Sequence, residues 1–430
     1  MSTQASEKIG LSSTALLLVG TVIGSSIFMA TGYQAAGMGP GVWLVYIIGA
    51  VLTIPICFQS AQTGCVLPMT GSNIEMIRRT TGPFSSFMYG WIYICWVAVY
   101  VPYCAHSITK FLLLYFPNLN TSLTAIVIIV IFGVVNCFGL KAAAILQNVI
   151  VGVLAVAMVV FFFGGIPYFH MENLTPLFPM GSAAVIGQIM PGYFGYVGLF
   201  TITEWAGEIE NPQKTLPKAL GISMGEITVL YILVCVALCA IAPYSELGMD
   251  AAVGVVAKRI FPAPVALLIN LGAIFAVSSS LNGMMVVLSR EVNAMANHGM
   301  LPRVLGKSSK KRNAPYAAIL LAVAVGIVIS LISDSVLAYM DAVTLFIMIN
   351  CIHSAAASLR IRKCMPQEYE QAAYKLTGGW YYFWPVTMII TCGIMFVLSY
   401  MDVPQMTLPM LAIIAAGVAI YAVRSKRIAR

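Results

Sequence analysis

Residues 20–26 read Gly20-Thr21-Val22-Ile23-Gly24-Ser25-Ser26, and residues 191–198 read Pro191-Gly192-Tyr193-Phe194-Gly195-Tyr196-Val197-Gly198. Each stretch sits inside a long apolar run, where a glycine costs a helix roughly 1 kcal/mol relative to alanine. Small residues also let membrane helices pack closely, so either stretch alone fits a plain helix contact. Position separates the two readings, and it needs the whole chain to be divided into runs.

The chain has 430 residues, 60% hydrophobic, with a mean hydropathy of +0.92 and only 9% charged residues. Soluble domains carry roughly 25% charged residues, so a soluble enzyme or a nucleic-acid-binding protein is excluded and the lipid bilayer is the solvent. A spanning helix needs about 20 mostly apolar residues. Twelve runs qualify, at 11–36, 41–66, 84–116, 123–140, 142–168, 182–207, 222–243, 262–297, 315–333, 336–361, 380–400 and 406–423. The first has no convincing cleavage site and eleven follow it, so it reads as a span and not as a signal peptide.

The net charge of +8 is topological. With the N-terminus inside, inward segments hold Lys8, Arg78, Arg79, Lys141, Lys214, Lys218, the six from Arg290 to Arg312, the four from Arg360 to Lys375, and Arg424, Lys426, Arg427 and Arg430. That is 20 of 23, with only Lys110, Lys258 and Arg259 outside. The bias predicts both termini in the cytoplasm of a plasma-membrane protein and supports the count of twelve. The ten cysteines contain no C-x-x-C and mostly lie in apolar runs, where Cys behaves as a small hydrophobe. The histidines form no ligand spacing, and neither a metal nor a cofactor is expected.

The two glycine-rich stretches fall in runs one and six, five apart. Five is odd, so a second unit of five spans enters from the opposite side. That is an inverted repeat, and interrupted spans at matching positions point to a transporter binding site. A break frees N–H groups at the start of one half-helix and carbonyls at the end of the other, which must line a polar cavity or be buried in protein. The half-helix from Ser25 offers donors and a positive dipole end to a carboxylate. Carbonyls of Thr21 to Ile23 and around Phe194 to Val197, Tyr196 included, suit an ammonium. Such a site receives an amino acid zwitterion or an amine.

At these residues the chain resembles the amino acid–polyamine–organocation transporters. GTVIGSSIF at Gly20–Phe28 is similar to the family's Gly-x-x-Ile-Gly-(Ser/Thr)-Gly-Ile-Phe, with Ser26 for the last glycine. Pro68, Gly71, Gly82-Pro83 and Gly90-Trp91 fit the approach to span three. Phe194–Pro217 fits the sixth-span pattern ending Glu-x-x-Asn-Pro. Arg290–Pro302 is similar to Arg-x-x-x-Ala-Met-Ala-x-Asp-Gly-x-Leu-Pro, with His298 in the acid's place, and Arg360, Arg362 and Pro366 resemble the basic stretch after span ten.

The resemblance implies an all-α membrane protein of 12 transmembrane helices with a leucine-transporter-like inverted repeat (5+5) plus two helices. It divides the chain into a tail at 1–10, repeats at 11–168 and 182–362, two added helices at 380–423 and a tail at 424–430. It implies alternating access, with the backbone of Val22, Ile23, Gly24, Ser25 and Ser26 holding the substrate's charged groups and carbonyls at Phe194 and Val197 sharing the amine. Phe194 would be an aromatic gate and Tyr100 part of the side-chain pocket, with Gly198 leaving room for substrate.

Two departures shape the expected mechanism. Relatives that exchange basic substrates carry a glutamate two residues after the sixth-span glycine; here Gly198 is followed by Leu199 and Phe200. An unpaired cation is expensive there, so neutral substrates are expected, with Glu204, four residues past Phe200, as the alternative charge partner or gate for basic amino acids or polyamines. Proton-coupled and some exchanging relatives have a lysine in span five; the position falls near Leu154, and 142–169 contains none. Ser278 and Ser279 could offer hydroxyls to sodium. Exchange of one amino acid for another needs no ion and fits best; ion- or proton-coupled symport is the runner-up and a transporter-like sensor a third. No clustered acids suggest an enzyme, and no filter suggests a channel.

Overall fold

The computed structural model describes residues 8–24, 26–137, 140–297, 299–309 and 315–428, with the backbone alone described at 140–151, 294, 402 and 425–428. Ser25, His298 and residues 310–312 of the basic loop lie outside the described residues. The described chain is helical, and its one strand-like feature is the bridge pairing Ile9 with Ile209.

In order, the helices are α1 (Leu11–Val22), α2 (Thr31–Met38), α3 (Val42–Val66), α4 (Ser72–Thr81), α5 (Pro83–Leu113), α6 (Thr121–Cys137), α7 (Leu140–Gly165), α8 (Ser182–Phe194), α9 (Pro212–Ile241), α10 (Ala252–Ile260), α11 (Ala263–Asn297), α12 (Tyr316–Ser330), α13 (Val336–Ser358), α14 (Ile361–Cys364), α15 (Pro366–Gln371), α16 (Trp380–Asp402) and α17 (Thr407–Ile428). A π-helix, Ser26–Ala30, joins α1 to α2, and a 3-10 helix, Val197–Glu204, follows α8.

Among the described residues nine helical stretches are long and apolar enough to cross a membrane, counting α1 with α2 and α8 with its 3-10 extension as one each. Thr121–Cys137, Gly152–Tyr168 and Tyr316–Ser330 are shorter apolar helices at the remaining three runs. The largest boundary difference is at α9, which starts at Pro212, well ahead of the apolar run that opens at 222. Asn211 takes a left-handed conformation (φ 45°) and Pro212 fills the first helical position, where its missing N–H is no loss. A start signal of this kind overrides hydropathy.

The long helices α5 and α11 pack against each other at the centre; α5 also meets α6 and α13, and α11 lies on α7 and α12. On the other side α3 packs on α8 and α9, and α1 on α9 and α11. Hydrophobic side chains such as Val127, Leu320, Val397 and Leu408 stay exposed on the outside, while polar groups such as Gln59, Asn73, Ser279 and Asn350 are buried within. That distribution suits a lipid surround, where polar groups must find partners inside the protein. Charges gather at two ends. One, the basic end, joins Arg79 to Glu368 and Arg290 to Glu208; the other joins Lys110 to Asp250 and Arg259 to Glu246.

Candidate substrate site

Both glycine-rich stretches interrupt their helices. At the first, α1 stops at Val22 and Ile23 leaves the helical region (φ −74°, ψ 88°) before the chain rewinds at Ser26. At the second, α8 stops at Phe194 and the chain passes through Gly195 and Tyr196 into the 3-10 helix. The second break is therefore a change of winding. Its amides keep short-range partners, as in Leu199 N–H to the Tyr196 carbonyl at 3.0 Å, so few donors are laid bare there. Proline at 191 and glycines at 192, 195 and 198 lower the barrier to this tightening.

The breaks touch. A β-carbon on Gly198 would stand 3.0 Å from Val22 Cγ2 and 3.3 Å from Val22 Cα, so glycine is what allows the sixth span to lie on the first. Hydroxyls from neighbouring helices then hold the loosened carbonyls. Tyr231 of α9 donates to Gly195 O at 3.0 Å and lies 3.3 Å from Val22 O, bridging the two breaks. From α11, Ser279 donates to Gly20 O at 2.8 Å, and Ser280 is shared between Thr21 O at 3.2 Å and Gly20 O at 3.4 Å. Gly20 O thus meets two hydroxyls, while the carbonyls of Thr21, Val22 and Gly195 each meet one and have a second lone pair for a further donor.

Between the breaks lies a cavity of about 20 Å³, lined by Thr21, Val22, Ser26, Phe194, Val197 and Gly198 from the two spans. Trp96 and Tyr100 of α5, Met284 of α11, and Val343 and Ile347 of α13 complete it. That volume is about one water's worth, so the site is drawn closed in this conformation. Of the residues singled out from sequence, Val22, Ser26, Tyr100, Phe194, Val197 and Gly198 are thus brought together. Ile23 and Gly24 sit at the break behind that lining; Gly24 faces the hydroxyls of Ser280 and Tyr100. Ser25 is outside the described residues. Tyr196 turns its hydroxyl to Thr228 at 3.2 Å and its ring to Tyr231. Phe200 is fully buried and does not line the cavity.

Winding explains Phe200 and Glu204. A 3-10 helix turns about 120° per residue where an α-helix turns about 100°. Residues four apart then diverge by about 120°, where an α-helix would keep them within about 40°. Glu204 accordingly leaves the face of Phe200 and lines a separate, larger cavity of about 260 Å³ at the basic end, together with Glu75, Arg78, Arg290 and Glu291. Nearby, Glu208 pairs with Arg290 at 2.8 Å, while the Glu210 amide bonds to Ile9 O at 2.9 Å. Leu154, at the position of the relatives' lysine, is buried in α7. Ser278 is buried beside Ser279, whose hydroxyl bonds to Gly20 O of span one.

Sequence reading missed Tyr231 and Trp96. Tyr231 carries no local signal, since a tyrosine in an apolar run reads equally as an interfacial anchor. Trp96 had one: Tyr89, Tyr93, Trp96, Tyr100 and Tyr103 recur at spacings of four and three, one face of a helix. The rings form a continuous ladder, with centroid separations of 6.0, 5.0, 6.3 and 5.4 Å, and it ends on Phe194 at 5.8 Å from Tyr103. The Trp96 indole N–H has no hydrogen-bond partner among the described residues.

Comparison with known proteins agrees with this architecture. The chain is 28% identical to the methylthioribose transporter of Bacillus subtilis over 96% of its own length and 92% of the relative's. It is 26% identical to a probable GABA permease of Pseudomonas aeruginosa, covering 87% and 82% of the two chains. It is 27% identical to a serine/threonine exchanger of Bacillus subtilis, covering 76% and 77%. The family model described as amino acid permease matches residues 9–421. A match of that extent, on a chain with nine helices fit to cross a bilayer among its described residues, makes this a multi-pass membrane protein that belongs to the amino acid permease family.

Proposed function

We propose that the chain is a secondary carrier that moves small neutral amino acids by alternating access, exchanging one for another, and that it is not an enzyme. The observation that carries this is the contact of the two helix breaks, Gly198 on Val22, with Tyr231 bonded across both. Main-chain atoms at 22–26 and 194–198 take the substrate's ammonium and carboxylate, and Phe194, closing the aromatic ladder, acts as the gate. The relatives' names, a GABA permease and a serine/threonine exchanger among them, support an amino acid cargo.

Neutral substrates are supported by the cavity lining, which contains no carboxylate, and by the placement of Glu204 in the other cavity. The apolar Met284, Val343 and Ile347 with the free Trp96 N–H suit a short side chain that is apolar but carries one hydrogen-bond acceptor. Exchange is supported by Leu154 at the lysine position and by Ser279 already bonded to Gly20. The accompanying architecture is two inverted five-helix repeats, 11–168 and 182–362, with helices in 380–423 added outside. The basic end faces the cytoplasm, with both termini, at the plasma membrane. Uptake of radiolabelled neutral amino acids into proteoliposomes tests the reading. Saturable uptake accelerated by unlabelled amino acid inside is expected. Flux that no amino acid competes for, while methylthioribose does, would move the cargo to that relative's class.

A further inference from the structure

The cavity at the basic end contains a pair of carboxylates that the transport reading leaves unused. Glu204 ends the 3-10 helix of span six and Glu291 lies on α11; they are only 6% and 5% exposed, and both line the same cavity. Neither makes an ion pair among the described residues. The cations at that cavity are engaged elsewhere: Arg290 with Glu208 at 2.8 Å and Arg78 with Glu75 at 2.7 Å. On α13, His353 bonds to Ser85 at 2.6 Å, and Cys351 is buried.

The two carboxyls differ in their hydrogen bonds. A directed chain ends on Glu204: Gln59 Nε2 donates to Ser354 Oγ at 3.0 Å, Ser354 to Asn73 Oδ1 at 2.8 Å, Asn73 Nδ2 to Thr203 Oγ1 at 2.6 Å, and Thr203 lies 3.4 Å from Glu204 Oε1. Gln59, Ser354 and Asn73 donate along the chain toward Glu204, and the Thr203 hydroxyl at its end is shared with the Phe200 carbonyl at 3.1 Å; donors aimed at a carboxylate favour its charged form. On Glu291, Oε1 is buried without a hydrogen-bond partner among the described residues, as are the hydroxyls of Tyr89 and Tyr93. Gly90 lies against the pair's helix, where a β-carbon would stand 3.4 Å from Glu291 Oε1 and 2.8 Å from Met295 Sδ.

We propose that Glu204 and Glu291 form a binding site for one proton, held on Glu291, and that the cavity at the basic end closes only while that proton is bound. Two like charges buried on one cavity with no ion-pair partner among the described residues are strongly opposed, and one proton relieves the repulsion. On closing, a Glu291 oxygen takes a proton from cavity water and an O–H bond forms; on reopening that bond breaks and the proton returns to water on the same side. Exchange then becomes dependent on pH at the basic end without net proton movement. The closing step rests on the carrier reading; the proton itself does not.

Infrared spectra of the full-length protein in nanodiscs, titrated with alkali, test the site without any transport. The wild type should show a protonated-carboxyl band at neutral pH that Glu291→Gln lacks. Glu204→Gln, which removes the like charge, should shift the loss of that band to lower pH. Superimposable spectra of wild type and Glu291→Gln, or a band indifferent to Glu204→Gln, overturn the proposal. A melting temperature raised by sodium, potassium or methylammonium in wild type but not in Glu291→Gln also overturns it, in favour of a cation site. In proteoliposomes, serine exchange by wild type should slow with rising pH at the basic end by up to about tenfold per unit, and Glu291→Gln should be flat. Equal pH profiles would remove the closing step and leave the spectral result standing; absence of all flux would count against the carrier reading alone.

Discussion

The Tyr231 hydroxyl donates to the Gly195 carbonyl at 3.0 Å, and the same oxygen stands 3.3 Å from the carbonyl of Val22. One side chain on α9 thus fastens both interrupted spans. Removing the hydroxyl takes away the one donor that these two buried carbonyls share, a loss of about 1–3 kcal/mol. Tyr231→Phe should lower the unfolding temperature of the detergent-solubilised protein and weaken amino acid binding together. An unchanged melting curve with unchanged binding would show that the bridge carries no weight.

Gly24 and Ser280 are matched in shape. A β-carbon at 24 would fall 2.4 Å from Ser280 Oγ and 3.1 Å from its Cβ. Gly24→Ala should therefore reduce flux at least about tenfold, equivalent to about 1.4 kcal/mol, and Ser280→Gly on top of it should restore much of the loss by clearing the space. Failure of the second change to rescue the first, with both proteins folded, would mean that the glycine serves something other than this contact.

The glutamate that basic-substrate relatives carry at the place of Phe200 implies that Phe200→Glu favours basic substrates. The structure changes the expectation, because Phe200 is fully buried away from the central cavity. An unpaired carboxylate there costs several kcal/mol, so Phe200→Glu should give poorly folded protein. Good yield with a switch to arginine or diamine transport, measured by competition, would return Phe200 to the pocket.

Hydropathy and punctuation carried most of the architecture: the apolar runs, the charged ends and both breaks follow from which residues tolerate lipid and which disturb a helix. What stayed hidden depends on winding and on distant contacts. The tightening after Phe194 turns Phe200 and Glu204 away from where α-helical geometry puts them. Tyr231 bonds to a residue 209 positions away, and Val343 and Ile347 look like any other apolar residues of a span. Glu291 falls at an unspecified position of the pattern that begins at Arg290, and its burial on the same cavity as a second carboxylate follows only from the packing of α11 and the sixth span.

Outside the spans, Arg78 first and Arg79 with it hold the Glu75 carboxyl below the usual carboxylate range. Arg79 also reaches Glu368 at 2.7 Å, tying α4 to α15. Because the folded-state value is depressed, the stabilisation is present above about pH 4.3, the ordinary value, and is lost as pH falls through the folded value. Glu75 is half-buried but its arginine partners are exposed, so solvent screening keeps the size under about 1 kcal/mol. Glu75→Gln should lower the melting temperature slightly at neutral pH, with the difference shrinking in acid and in high salt. A difference that grows in acid would reverse the assignment.

The central claim is that the contact of the two breaks is where the substrate sits. Equilibrium binding of radiolabelled neutral amino acids to the purified protein, compared between wild type and Gly198→Val, tests it most directly. The Gly198→Val side chain would intrude on Val22, where even a β-carbon is 3.0 Å from Cγ2. Saturable binding by wild type and none by a folded Gly198→Val protein is the predicted result; equal affinity in both would contradict the account.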